Sequence, residues 1–90
     1  MRFRHRGLKE LFETGRSAAV PPELLKRCAN RLEILNAAKT LIQLNITGFN
    51  THPLLGTDPP RYSMSVNGPW RITFQFQEPD AYLVDLQQYH

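Results

Sequence analysis

An α+β fold with an antiparallel sheet is what this sequence predicts, and three observations carry the prediction. Apolar residues recur at helical spacing in the first part of the chain, with Leu24, Cys28, Leu32 and Leu35 as the clearest stripe. After Tyr62 they alternate instead: Trp70, Ile72, Phe74 and Phe76 fall on one face, and Arg71, Thr73, Gln75 and Gln77 on the other. Asn67-Gly68 and Glu78-Pro79-Asp80 then divide that second half into strands. Helices first and strands afterwards segregate into one layer of each.

Each element has its own signal. Within residues 1–16, Leu8, Leu11 and Phe12 share one face of a short helix that Thr14-Gly15 ends. Arg2, Arg4, His5, Arg6 and Lys9 make the same segment basic. Residues 17–20 link it to a second helix, which Pro21-Pro22-Glu23 starts: proline fits the first turn, and Glu23 favours the positive end of the helix dipole. That helix runs through about Ala38, with Lys26, Arg27, Asn30, Arg31 and Glu33 expected on its solvent faces. Loose alternation from Leu41 to Phe49 suggests an extended segment, and Thr51 to Arg61 reads as a loop. Strands follow at residues 62–66, 70–77 and 81–87, the first two joined by a type I′ turn at Asn67-Gly68.

Composition narrows the function classes. Ninety residues form one domain, spanning 1–90, and 41% hydrophobic with 21% charged residues is ordinary for a globular protein. The single cysteine, Cys28, excludes an internal disulfide and a cysteine-based zinc site, and its helical-face position marks it as a small buried hydrophobe. No apolar run approaches the ~18 residues of a spanning helix, so the expectation is a soluble, cytoplasmic protein without a membrane partner. Eleven Lys and Arg against eight Asp and Glu give a net charge of +3, compatible with a phosphate-bearing partner.

The residues able to do chemistry are Arg71, the histidines His5, His52 and His90, and the tyrosines Tyr62 and Tyr89. The sequence has no Gly-rich phosphate loop, no zinc-type histidine motif and no carboxylate cluster suited to magnesium, so no metal or cofactor is expected. What remains is acid–base chemistry on a phosphodiester. Such a reaction needs a base for the ribose 2′-hydroxyl, an acid for the leaving 5′-oxygen and a cation for the charged phosphorane. His52, His90 and Arg71 supply those three roles if the fold brings them together.

Longer segments carry a resemblance. Phe3-Arg4-His5-Arg6-Gly7-Leu8-Lys9-Glu10-Leu11-Phe12-Glu13-Thr14-Gly15, Pro21-Pro22-Glu23-Leu24, Arg31-Leu32-Glu33-Ile34-Leu35-Asn36-Ala37-Ala38, His52-Pro53-Leu54, Ser65-Val66-Asn67-Gly68-Pro69-Trp70-Arg71-Ile72-Thr73-Phe74 and Asp80-Ala81-Tyr82 occur in order, with Tyr89-His90 at the end. Together the chain resembles the HigB-type toxins, the plasmid maintenance killer proteins of the RelE superfamily.

The resemblance implies two N-terminal helices packed on a small twisted antiparallel sheet. It also implies a bacterial, metal-free endoribonuclease that cleaves mRNA, typically on the ribosome. Its partners would be a HigA-like helix-turn-helix antitoxin and, only through that antitoxin, operator DNA. The family's catalytic surface maps onto His52, Arg71, Tyr89 and His90. Arg71 is then the phosphate-stabilising cation, His90 the general acid, His52 the base or a phosphate or ribose contact, and Tyr89 a stacking or positioning group. Arg61, Tyr62, Arg4 and Arg6 complete the expected RNA- and phosphate-binding set.

Two positions depart from the family pattern. Leu55 stands where a lysine usually precedes Gly56, and Gln88 stands where an aspartate usually precedes Tyr-His. Arg61 is the nearby cation that would substitute for the missing lysine. These departures sustain an alternative, a catalytically weakened toxin-fold protein that acts by binding its antitoxin, the ribosome or an operator complex. A gyrase-directed toxin of the ParE type shares the fold, and the terminal Tyr-His argues against it.

Overall fold

A computed structural model describes residues 1–89, so His90 lies outside the described residues. Helix α1 spans Arg6–Thr14 and α2 spans Leu25–Ala37. The strands are β1 (His52–Leu54), β2 (Arg61–Asn67), β3 (Trp70–Gln77) and β4 (Asp80–Gln88). They form one antiparallel sheet in the order β1-β2-β3-β4. The expected α+β architecture is therefore the one observed.

His5 caps α1: its Nδ1 accepts the Leu8 N–H at 3.1 Å, satisfying a donor that the first turn leaves open. Gly15 ends the helix at φ +80°, and its N–H donates to the Leu11 carbonyl at 2.8 Å. Gly7 is needed for packing, because a Cβ there would stand 2.8 Å from the Ala19 Cβ. The 3-10 turn Pro22–Leu24 leads into α2, whose Leu24, Cys28, Leu32 and Leu35 stripe is buried as the spacing predicts. It meets Met64, Val66, Ile72, Phe74, Val84 and Leu86 from the sheet.

Arg31 corrects the expectation for α2: it is 9% exposed, not on a solvent face. A register shift between Ser65 and Asn67 interrupts the ladder of β2, and arginines from α2 take up carbonyls of that segment. Arg31 Nε donates to the Ser65 carbonyl at 2.7 Å and Arg27 Nη1 to the Val66 carbonyl at 3.0 Å. The Arg31 guanidinium also lies 4.3 Å from the Phe49 ring centroid.

Three local readings are also revised. The β2–β3 turn places Gly68 and Pro69 at its centre, with Asn67 paired to Trp70. Only Gly68 has positive φ, at +55°, which is the φ pattern of a type II′ turn, and Pro69 takes the second position where a negative φ is required. Leu41–Leu44 is a 3-10 turn rather than extended chain. Gln43 Oε1 accepts the Lys39 and Thr40 N–H groups at 2.6 and 3.2 Å, a capping box that competes successfully with strand pairing. Within the expected 51–61 loop, β1 forms the edge strand of the sheet. Thr57 closes the loop after it: its hydroxyl donates to the Leu54 carbonyl and accepts the Arg61 N–H, both at 2.9 Å.

At the opposite edge the chain's first residues cover β4. Val84 N–H donates to the Arg2 carbonyl at 3.0 Å, and the Val84 carbonyl accepts from Arg4 and His5 at 2.9 and 3.1 Å. The helices cover one face of the sheet, and the polar residues of the alternation occupy the other.

Candidate active site

Register builds the polar face in three rows. His52, Ser63, Thr73 and Asp85 lie side by side across the four strands. Ser65, Arg71 and Gln87 form the next row, and Leu54, Arg61, Gln75 and Tyr82 the row on the other side. Strand alternation explains the grouping, since residues two apart share a face. His52, Arg61 and Arg71, separate in sequence, thus converge on one surface.

The two arginines aim at the middle row from opposite sides. Arg71 Nη1 donates to Ser63 Oγ at 3.3 Å, and Arg61 Nη2 donates to Thr73 Oγ1 at 2.9 Å. Ser63 and Thr73 are themselves cross-strand partners, so both guanidinium groups are brought to one neighbouring hydroxyl pair. Thr73 then donates to Gln87 Oε1 at 2.9 Å. Arg61 Nε is buried without a partner among the described residues. Two fork-shaped cations thus lie beside small hydroxyl residues on this face, a donor set suited to phosphate.

His52 stands at the rim on the edge strand, half-buried. Its Nδ1 is 3.1 Å from the Pro53 carbonyl oxygen. A carbonyl only accepts, so Nδ1 is the donor in this contact, and in the neutral tautomer that makes it, Nε2 carries the lone pair. That is the tautomer a general base requires. At the other end Tyr89 follows β4, its N–H bonded to the Pro69 carbonyl at 2.7 Å and its hydroxyl 3.5 Å from Gln87 Oε1.

The remaining expected residues are placed as follows. Arg4 Nε approaches Asp85 Oδ2 to 3.9 Å, so the basic N-terminal segment borders the polar face through β4. Arg6 belongs to a separate hollow on α1, with Lys9, Glu10 and Glu13. Tyr62 points away from Arg71: it packs with the core, its ring 5.9 Å from that of Phe74, and lines a groove that His52 also borders. His5 is a helix cap. Leu55 is 97% exposed on the loop after β1, and Gln88 pairs with Trp70 rather than sharing the Arg71 row. Ser63, Thr73 and Gln87 escaped sequence reasoning because none carries a titratable group. Their one signal is the strand alternation that puts them beside Arg71. Among the described residues no three His, Cys, Asp or Glu side chains gather as metal ligands do.

Two helices backing a four-stranded antiparallel sheet, with cations on its open face, is the build of the RelE-like toxin class. Over residues 1–90 the chain matches the family described as the RelE-like toxin of the type II toxin-antitoxin system HigB. It is also 40% identical over 88 residues to Endoribonuclease HigB of Proteus vulgaris, an alignment covering 98% of this chain and 96% of that protein. The chain belongs to the HigB-like toxin family, and a type II system gives it an antitoxin as partner.

Proposed function

We propose that this toxin is an endoribonuclease that cleaves mRNA by side-chain acid–base chemistry, acting on the ribosome and held in check by a HigA-like antitoxin. The observation that carries the reading is the convergence of Arg61 and Arg71 on the Ser63–Thr73 hydroxyl pair, one strand from His52. The relative's name, Endoribonuclease HigB, supports the same reaction class.

In the proposed reaction, His52 Nε2 removes the proton of a ribose 2′-hydroxyl, whose oxygen attacks the adjacent phosphorus. The O2′–P bond forms while the P–O5′ bond breaks, giving a 2′,3′-cyclic phosphate and a 5′-hydroxyl end. Arg71 and Arg61 donate to the phosphorane oxygens as charge builds on them, where fixed donors act most strongly. His90 is assigned the proton for the leaving 5′-oxygen, and Tyr89 a base-stacking role suited to splayed single-stranded RNA.

The test is induction of the toxin in bacteria, wild type beside Arg71→Ala, with 5′-end mapping of mRNA. New ends inside translated frames, absent in the soluble variant, are the expected result. Growth arrest without new ends would instead favour the binding-only alternative that Leu55, fully exposed and uncharged, leaves open.

A further inference from the structure

Between β1 and the 3-10 turn Leu41–Leu44 lies a groove of about 420 Å³, walled by Leu41, Ile42, Pro53 and Tyr62. Of its three polar lining residues, Thr51 donates its hydroxyl to the Leu44 carbonyl at 2.7 Å, and the other two bear on the occupant. Asn45 offers an amide at the surface, and His52 forms the boundary between the groove and the arginine face. We propose that this groove is a nucleobase subsite, holding the base of the nucleotide whose 2′-hydroxyl His52 engages. The proposal rests on the endoribonuclease reading and adds a specificity determinant to it.

Three features select this occupant. Continuity comes first: a ribose at His52 Nε2 has its phosphate toward Arg61 and Arg71, and the groove on its other side to receive the base. Chemistry comes second. The walls are apolar and include an aromatic ring and a proline, surfaces on which an unstacked base replaces the stacking it lost. The Asn45 amide can donate and accept at once, as pairing with a base edge requires. Size comes third, since the volume lies at the small end of the ~300–1,000 Å³ typical of ligand cavities, suited to one base rather than a peptide strand. Ile42 is 78% exposed, an apolar side chain held in water until something covers it.

The experiment compares wild type with Asn45→Ala and Ile42→Trp, both at exposed positions that the core does not use, by 5′-end mapping after induction. Wild type is expected to favour particular bases immediately 5′ of the break. Asn45→Ala should flatten that preference and lower break frequency roughly tenfold, the scale of one lost base-edge contact. Ile42→Trp should fill the groove and suppress cleavage while the protein still captures purified antitoxin. Wild-type breaks without preference at that position, or a preference unchanged in both variants, would overturn the subsite and leave the ribonuclease reading standing. Loss of antitoxin capture with unchanged cleavage would assign the groove to the antitoxin and overturn the proposal. No wild-type breaks at all would remove the ribonuclease reading itself, and the subsite with it.

Discussion

Arg61 is held in place by Thr73: its Nη2 donates to the Thr73 hydroxyl at 2.9 Å, and that hydroxyl donates in turn to Gln87 Oε1 at the same distance. Thr73 is fully buried, so the bonds form out of competition with water. A cation two strands from β4 is thereby tied to the strand that precedes Tyr89.

Thr73→Val tests that tie. It keeps the shape and removes the hydroxyl, leaving the Arg61 and Gln87 groups without it, and should cost about 1–3 kcal/mol in urea unfolding. Cleavage should fall further than this loss of folded protein explains, because Arg61 is no longer fixed. Thr73→Ser should restore both. Equal cleavage by the valine and serine variants would rule out the positioning role.

Arg71→Ala should lower cleavage by about 10²–10³, the usual loss for one transition-state donor, with unfolding shifted by under ~0.5 kcal/mol. Arg71→Lys should recover only part of the rate, since an ammonium lacks the planar fork. Full recovery with lysine would reduce the site to a point charge.

Arg31 carries structural weight of another kind. Arg31→Ala removes the donor to the Ser65 carbonyl and the cation over Phe49, and should destabilise the fold by about 2–4 kcal/mol. Burial pushes the Arg31 pKa down from its ordinary value, with Arg27 adding to the effect. Arg31→Met, which keeps the stem, should recover only the packing share. Urea unfolding midpoints distinguish the variants.

Burial pushes the Cys28 thiol up from 9.0 to about 11, against a smaller opposing pull from Arg31. A group whose folded pKa is raised stabilises fully below its unfolded pKa and loses that contribution as pH rises toward the folded one. Stability should therefore fall between pH 9 and 11, by at most roughly 1.4 kcal/mol per pH unit from this group. Cys28→Ala removes that share, so the difference between the two pH profiles is the measurement. The folded thiol should also resist alkylation at pH 8 and react once the protein is unfolded.

The periodicities of the sequence contain the helices and the three long strands, because each is a regular stripe that only one packing satisfies. Strand β1 was illegible: three residues with a central proline show no alternation, and pairing with β2 alone creates the strand. The Leu41–Phe49 segment misleads because its alternation is loose, whereas the Thr40–Gln43 capping pair that decides it is a side-chain device. Arg31 reads as a surface charge until the Ser65 carbonyl is known to need a donor. In the site, Arg71 and His52 are legible from chemistry and resemblance. The Thr73–Gln87 link needs the β3–β4 register, which a bulge beside Leu83 shifts beyond the reach of counting.

The bonds between Val84 and Arg2, Arg4 and His5 join the segment ahead of α1 to β4, with both helices and three strands lying between them in the chain. During synthesis the opening residues must wait, unpaired, until β4 has emerged to receive them. Gln87, which completes the arginine face, arrives on that same strand. The surface proposed to attack translation is thus assembled only once β4 has emerged, later than the helices that back it.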